Sequence, residues 1–166
     1  SLKIAGTDLA INQTTDYPND GKIKISLNPK NPSSFKVHLR IPTWAGNQFV
    51  PGKLYKYLNQ KKESWSLTVN GSKTQATVEK GFAIIERKWK KGDQIILDLP
   101  MPLRINQCDK RVEENHNRLA FTRGPFVLCA EEIDNGGATQ RFFLNQEKME
   151  TKYNLTKVKL TSGSFS

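Results

Sequence analysis

Two pairs of adjacent glutamates are the residues best suited to acid–base chemistry on a sugar. Glu131-Glu132 follows an apolar run, and Glu113-Glu114 lies in a charged, loop-like segment. Glycoside hydrolysis needs two carboxyl groups that flank one scissile bond. Because neighbouring residues on a strand point to opposite faces, two adjacent glutamates do not meet that requirement. We therefore predict no catalytic residue among them.

The cysteines and histidines lack the spacing of a metal site. Cys108 and Cys129 are far apart in the sequence, His38 alternates with apolar residues on the wet face of a strand, and His116 lies in an asparagine-rich loop. Zinc sites need several clustered thiolate, imidazole or carboxylate ligands. We predict no metal in this chain. Cys129 is expected to be a small buried hydrophobic residue. The sequence does not decide whether Cys108 and Cys129 form a disulfide.

Aromatic residues are the better lead to a ligand. Trp44, Tyr55, Tyr57 and Trp65 crowd a segment without clear periodicity, which we interpret as a surface insertion. Flat rings can stack on the apolar face of a sugar, with polar neighbours for the hydroxyl groups. Core packing is the alternative for the tryptophans, whereas exposure is expected for the tyrosines. These four residues are the candidate carbohydrate-binding set.

Arg123 is predicted to be a structural clamp. It precedes Gly124-Pro125, which marks a sharp change of chain direction between two apolar runs. Five guanidinium donors in an apolar environment need acidic or carbonyl partners. Glu131 and Asp134 are the expected partners.

Short strands with turn residues between them predict the fold class. Phe35–Ile41 alternates apolar and polar residues without a break, and Asn70-Gly71 is a strong tight-turn signal. The chain shows no helical stripe. We predict an all-β, antiparallel, jelly-roll-like β-sandwich with no substantial helix, with residues 1–135 as the sandwich and 136–166 as extra edge strands or the start of a neighbouring domain. The further predicted strands are Leu2–Asn12, Lys22–Leu27, Trp65–Asn70, Thr74–Glu79, Gly81–Trp89, Gln94–Leu99, Leu103–Gln107, Leu119–Phe121 and Phe126–Cys129.

Two of the expected strand pairings join sequence neighbours. Lys22–Leu27 should pair with Phe35–Ile41 across a short loop, and Gly81–Trp89 should pair with Gln94–Leu99. The apolar run Phe126–Cys129 is expected to be covered on both faces or to lie at the sandwich core, because every one of its residues is apolar.

Composition limits the partners. The chain has 166 residues, with 26 basic and 16 acidic residues and a formal net charge of +10. The lysines are scattered, and no nucleic-acid recognition motif accompanies them. We therefore interpret the positive charge as lysines on the solvent-exposed faces of strands and not as a nucleic-acid-binding surface. No apolar run is long enough to span a membrane.

The order of several short motifs resembles the β-sandwich region of glycoside hydrolase family 127, whose characterised members include β-L-arabinofuranosidases. The resemblance covers roughly residues 22 to 135. Leu128 stands where the family usually has an aromatic residue, and the Trp44–Ser64 segment is longer than expected. The matching motifs are Leu39–Ala45, Val69–Gly71, Gly81–Trp89, Gly92-Asp93, Leu99–Met101, Arg123–Glu131 and Asp134-Asn135.

The resemblance implies an accessory domain of a larger enzyme. In the family, a zinc-held cysteine nucleophile lies in a helical barrel that precedes this region, and no residue here matches that motif. The implied partner is therefore a catalytic barrel outside this chain, with any zinc in that barrel and none here. A carbohydrate-binding module that uses the four aromatic residues is the alternative, and a contact between two copies of the chain stays open.

Overall fold

The computed structural model describes residues 2–46, 48–58, 64–131 and 133. The chain divides into two compact units, Ser1–Val127 and Leu128–Ser166, and the fold described here is that of the first. The predicted boundary at residue 135, and the predicted strands beyond it, lie outside the described residues.

The described part is built from antiparallel strands, and the predicted all-β sandwich is confirmed. Its helical structure is limited to two short 3-10 turns, Thr43–Gly46 and Glu113–Asn115. No described helix is long and apolar enough to cross a membrane. The strands are β1 Leu2–Ile4, β2 Thr7–Thr15, β3 Lys22–Pro29, β4 Ser33–Arg40, β5 Tyr55–Tyr57, β6 Ser66–Val69, β7 Ser72–Lys73, β8 Thr77–Glu79, β9 Phe82–Trp89, β10 Asp93–Asp98, β11 Leu103–Cys108, β12 Leu119–Arg123 and β13 Phe126–Leu128.

A six-stranded sheet forms one layer, in the order β1-β2-β3-β10-β6-β7. The alternating sequence of β3 places Ile25 opposite Ile95 of β10, and Ile95 in turn lies opposite Val69 of β6. All three side chains are buried. Because side chains alternate between the two faces of a strand, this register gives the sheet one apolar face.

A three-stranded sheet, in the order β4-β9-β8, forms the second layer. Its inward residues Phe35, Leu39, Ile85 and Trp89 belong to the same buried cluster as those of the six-stranded sheet. Trp89 is completely buried, and its indole N–H donates to the backbone oxygen of Phe35 at 2.9 Å. The hydrogen bond satisfies the polar atom of the largest side chain in the core.

A four-stranded sheet, in the order β13-β12-β11-β5, combines the last three strands with β5, which lies between β4 and β6 in the chain. The predicted turn at Arg123-Gly124-Pro125 is confirmed, since it joins β12 to its neighbour β13. The prediction of a doubly covered strand here is wrong. Val127 is 61% exposed, and Cys129 is exposed rather than buried.

The predicted pairings of sequence neighbours are wrong in two places. β3 and β4 lie in different sheets, and so do β9 and β10. The short connections at Pro29–Ser33 and Trp89–Asp93 therefore cross from one layer to the other. Alternation of apolar and polar residues indicates which face of a strand is buried, but it does not indicate which strand pairs with it. The same pattern therefore fits a hairpin within one sheet and a connection between two sheets.

Two other predicted strands differ from those in the structure. Leu2–Asn12 is a hairpin, because Ala5 and Gly6 adopt positive φ angles of 47° and 75° and reverse the chain between β1 and β2. Of the predicted strand Thr74–Glu79, only Thr77–Glu79 is a strand, and it does not pair with β6. Instead β7 pairs with β6 across the predicted Asn70-Gly71 turn, and β8 pairs with β9 in the other sheet.

Gly21 should tolerate no side chain, and this expectation tests the packing of β3 against the end of β10. A Cβ at residue 21 would collide with the backbone oxygen of Leu99, whose amide also donates to the Gly21 oxygen at 3.1 Å. We expect Gly21→Ala to lower the free energy of unfolding by about 1–3 kcal/mol or more, as overpacked sites do, measured by urea denaturation.

Gly46→Ala is the matched control. A Cβ at residue 46 meets nothing within 4 Å, and its φ is not positive. We expect a change of less than about 1 kcal/mol, in the stabilising direction. Equal losses from the two substitutions would contradict the close approach of Gly21 to Leu99.

Candidate functional site

The predicted carbohydrate-binding aromatics do not form one exposed platform in the described structure. Trp44 and Trp65 are half-buried and pack against the core cluster of the sandwich. Tyr55 is half-buried, its ring meets Phe49 edge-on at a centroid distance of 6.4 Å, and its hydroxyl accepts from Asn115 at 3.3 Å. Each of the three rings has a packing partner within the chain.

The prediction that Tyr57 is exposed is wrong, because Tyr57 is only 5% exposed. It lies on β5, opposite Asn106 of β11, and the Arg104 guanidinium lies 5.2 Å from its ring centroid. Burial raises the pKa of the Tyr57 hydroxyl, although the Arg104 charge and a hydrogen bond with Thr122 lower it in part. The sequence analysis did not predict β5, because Leu54–Leu58 is too short a run to show alternation.

A buried polar group in the four-stranded sheet was missed by the sequence analysis. Asn106 and Thr122 are each 1% exposed. The Asn106 amide donates to the Thr122 hydroxyl at 3.0 Å and to the Ala120 oxygen at 3.4 Å. These bonds join β11 to β12 through side chains as well as backbone. No signal of this group is present in the sequence, because Leu103–Asn106 alternates apolar and polar residues like a strand with one wet face.

Two of the family-like motifs meet at the end of the six-stranded sheet. The Asn70 side chain donates to Asp93 Oδ1 at 2.9 Å and accepts from the Gln94 amide at 2.8 Å. Asp93 Oδ2 accepts from the Lys90 amide at 3.0 Å. The tight turn after β6 is thereby fixed to the turn before β10.

The electrostatics of Asp93 follow from these bonds. Asp93 is 2% exposed. Burial raises its pKa, but the hydrogen bonds from Asn70 and Lys90 and the charges of Arg87 and Lys90 outweigh burial, so the pKa lies below its ordinary value. A buried carboxylate held in this way is a structural anchor of the two turns.

Two further pairs of motifs also contact each other. Arg40 Nη1 donates to the Gly81 oxygen at 2.8 Å, and the Ile41 amide donates to the same oxygen at 2.9 Å. A Cβ at Gly124, which has a φ of +55°, would lie 2.8 Å from the Met101 sulfur. The motifs that begin at Leu39 and Gly81 are therefore joined by hydrogen bonds, and those at Leu99 and Arg123 lie close together.

The structure places Arg123 at an exposed contact. Its Nη1 atom donates to the backbone oxygen of Asn19 at 3.3 Å, a partner that the sequence did not predict. The predicted clamp to Glu131 or Asp134 stays a prediction, and Asp134 lies outside the described residues.

The described residues do not group into a metal site. Within residues 2–46, 48–58, 64–131 and 133, no three His, Cys, Asp or Glu side chains form a possible ligand set. Cys108 is half-buried and donates to the Asn115 oxygen at 3.0 Å. This donor set does not fit the zinc–cysteine centre that the family resemblance implies for the parent enzyme.

Comparison with known proteins agrees with these motifs. The family model described as Beta-L-arabinofuranosidase, GH127 middle domain, matches residues 1–101, and the model of the glycoside hydrolase family 127 C-terminal domain matches residues 103–161. A non-reducing end beta-L-arabinofuranosidase of Bifidobacterium longum subsp. longum is 29% identical over 132 residues, which cover 78% of this chain and 18% of that protein.

Solved structures show the same architecture. The structure of a GH127 beta-arabinofuranosidase matches with a TM-score of 0.74 and 37% sequence identity. The match covers 80% of this chain and 21% of that protein's chain. The structure of a GH127 beta-L-arabinofuranosidase from Geobacillus stearothermophilus T6 matches with a TM-score of 0.67 and 34% sequence identity. The match covers 81% of this chain and 19% of that protein's chain.

The fold and the motifs are those of a β-sandwich region of a glycoside hydrolase. The chain belongs to glycoside hydrolase family 127. It spans about a fifth of the length of the relatives named above.

The Asp93 anchor gives a pH-dependent prediction. Replacing Asp93 by Asn brings an amide group toward the Asn70 amide and removes the charge, so we expect a loss of about 1–3 kcal/mol in the free energy of unfolding at neutral pH. A carboxyl with a depressed folded pKa stabilises above its unfolded pKa of about 3.9 and ceases to do so as the pH falls through the folded value. The difference in the free energy of unfolding between Asp93→Asn and the wild type should therefore shrink below about pH 4.

Urea denaturation at several pH values measures this difference. Asp16→Asn is the control, because Asp16 is exposed and should change stability by less than about 0.5 kcal/mol at any pH. A difference for Asp93→Asn that stays constant down to pH 2 would contradict the anchor.

Burial of Tyr57 predicts a stability effect at a residue first assigned to carbohydrate. We expect Tyr57→Ala to lower the free energy of unfolding by about 3 kcal/mol, as large-to-small substitutions of buried aromatics do. Tyr17→Ala, at a residue that is 40% exposed, should cost less than about 1 kcal/mol. Thermal and urea unfolding compare the two variants, and similar losses would show that Tyr57 is not part of a packed core.

Proposed function

We propose that this chain is the non-catalytic scaffold region of a family 127 glycoside hydrolase, and that it braces a catalytic region outside the chain. One observation carries the proposal. The motifs by which the chain resembles its family contact one another, through Asn70 with Asp93, Arg40 with Gly81 and Met101 with Gly124. These residues fix turns and strand ends, and none of the three contacts aims a nucleophile or a general acid into a cavity.

The physical role of such a scaffold is rigidity. A catalytic constellation must be held to within about 0.5 Å of its productive geometry by supporting structure. Two packed β layers with a shared core supply a stiff surface, because close-packed interiors transmit displacement rather than absorb it. The scaffold would therefore stabilise the position of the catalytic region without contacting the substrate's reacting atoms.

Substrate and metal are assigned to the parent enzyme by the same proposal. The relatives include beta-L-arabinofuranosidases, so a terminal arabinofuranoside is the proposed substrate of the complete protein. A family-type zinc ion would be held by residues of the catalytic region. Among the described residues the donor set does not fit it, and this chain takes no step of the reaction.

The proposal predicts that hydrolytic activity requires the longer parent protein, and that a substitution in this chain changes stability without changing kcat. The 166-residue chain should not hydrolyse an aryl arabinofuranoside, whereas the longer parent protein should. In the parent, Asp93→Asn should lower the unfolding temperature and leave kcat unchanged below that temperature. Calorimetry and steady-state kinetics on the same samples measure both quantities.

Asp16→Asn in the parent is the matched control and should change neither quantity. Hydrolysis by the isolated chain at an enzyme-like rate would overturn the scaffold proposal. A fall in kcat for Asp93→Asn at a temperature where the variant is fully folded would also contradict it.

A further inference from the structure

We infer that the outer face of the three-stranded sheet binds a neutral saccharide. This surface lies on the side of β4, β9 and β8 that faces away from the core, and it borders a cavity of about 640 Å³. That volume is within the range of small-molecule sites. The inference does not depend on where the catalytic groups of the parent enzyme lie. The lining that carries the argument consists of His38, Gln75, Thr77, Glu79, Ile84 and Glu86.

The strand register places these side chains in rows. His38 of β4 lies opposite Ile84 of β9, and Ile84 lies opposite Thr77 of β8. In the next row Phe82 lies between Arg40 and Glu79. Directly opposed residues of an antiparallel pair point to the same face at Cβ separations of about 5 Å. The face is therefore a fixed grid rather than a chance meeting of surface loops.

The grid has three columns with different chemistry. The central column on β9 presents the apolar side chains Phe82, which is 37% exposed, and Ile84, which is half-buried. The β4 column presents hydrogen-bond donors such as Lys36, and the β8 column presents acceptors such as Thr77 and Glu79. A sugar has the matching pattern, since its C–H face is apolar and its rim of hydroxyl groups both donates and accepts.

Charge balance indicates that the saccharide is neutral. In the three rows that contain Glu86, Ile84 and Phe82, the charged side chains are Lys36, Arg40, Glu79 and Glu86, so their formal charges cancel. Lys36 and Glu86 also form an ion pair at 3.5 Å. A polyanion would meet the two glutamates and a polycation the two basic residues, whereas an uncharged ligand meets only hydrogen-bonding groups.

The geometry around Phe82 limits how the sugar can lie. The Arg40 guanidinium lies 5.3 Å from the Phe82 ring centroid, and it is held by its bond to the Gly81 oxygen. The His38 ring lies 6.4 Å from Phe82 at an interplanar angle of 57°. The sugar would therefore rest on Ile84 and the open part of Phe82, with its hydroxyl groups toward Thr77 and Glu79.

Titration of the isotopically labelled 166-residue chain with a short neutral arabino-oligosaccharide tests the inference by NMR. We expect shifts of the backbone amides of β4, β8 and β9. An oligogalacturonate of similar length should produce smaller shifts on that face. The double variant Thr77→Val, Glu79→Gln should weaken binding by about fivefold, the equivalent of one neutral hydrogen bond.

Val78→Thr is the matched control on the same strand. Val78 pairs with the buried Ala83 rather than with a residue of the outer face, so it points away from the cavity and the substitution should leave the affinity unchanged. Shifts confined to the segment around Trp44 and Trp65, a stronger response to the anionic oligosaccharide, or no shift with the neutral one would overturn the inference.

Discussion

The complete burial of Trp89 between the two layers is the constraint on which the sandwich depends. Its indole N–H donates to Phe35, and the two rings lie 6.1 Å apart at 34°. These two contacts hold β9 against β4, and the indole itself fills the core that the two layers share. The Arg87 guanidinium lies 5.2 Å from the Trp89 ring centroid and covers the ring at the rim of the core.

Polar contacts also hold the strand ends within each layer, and they join motifs that lie apart in the sequence. Asn70 and Asp93 meet across the β6–β10 pair, and Arg40 meets the residue before β9. Polar groups buried at strand ends need specific partners. Each contact therefore needs both of its residues, which lie far apart in the sequence.

Alternation in the sequence predicted most of the strands and the fold class, but not their partners. Lys22–Leu27 and Phe35–Ile41 are strands as predicted, yet each pairs within a different sheet. Partner choice depends on contacts between residues far apart in the chain, which a local pattern does not contain. The same limit explains Tyr57, whose burial depends on β11, and the Asn106–Thr122 bond, which joins strands that the sequence shows only as weak apolar runs.

The crossing connections have a consequence for how the chain reaches this structure. Because β3 pairs with β10 and β4 pairs with β9, much of each layer forms only when distant parts of the chain meet. Loop-closure entropy then opposes the early steps, and folding of such topologies is slow compared with that of proteins rich in local contacts. Intermediates would expose unpaired strand edges for longer, and edges of that kind are the templates on which chains aggregate.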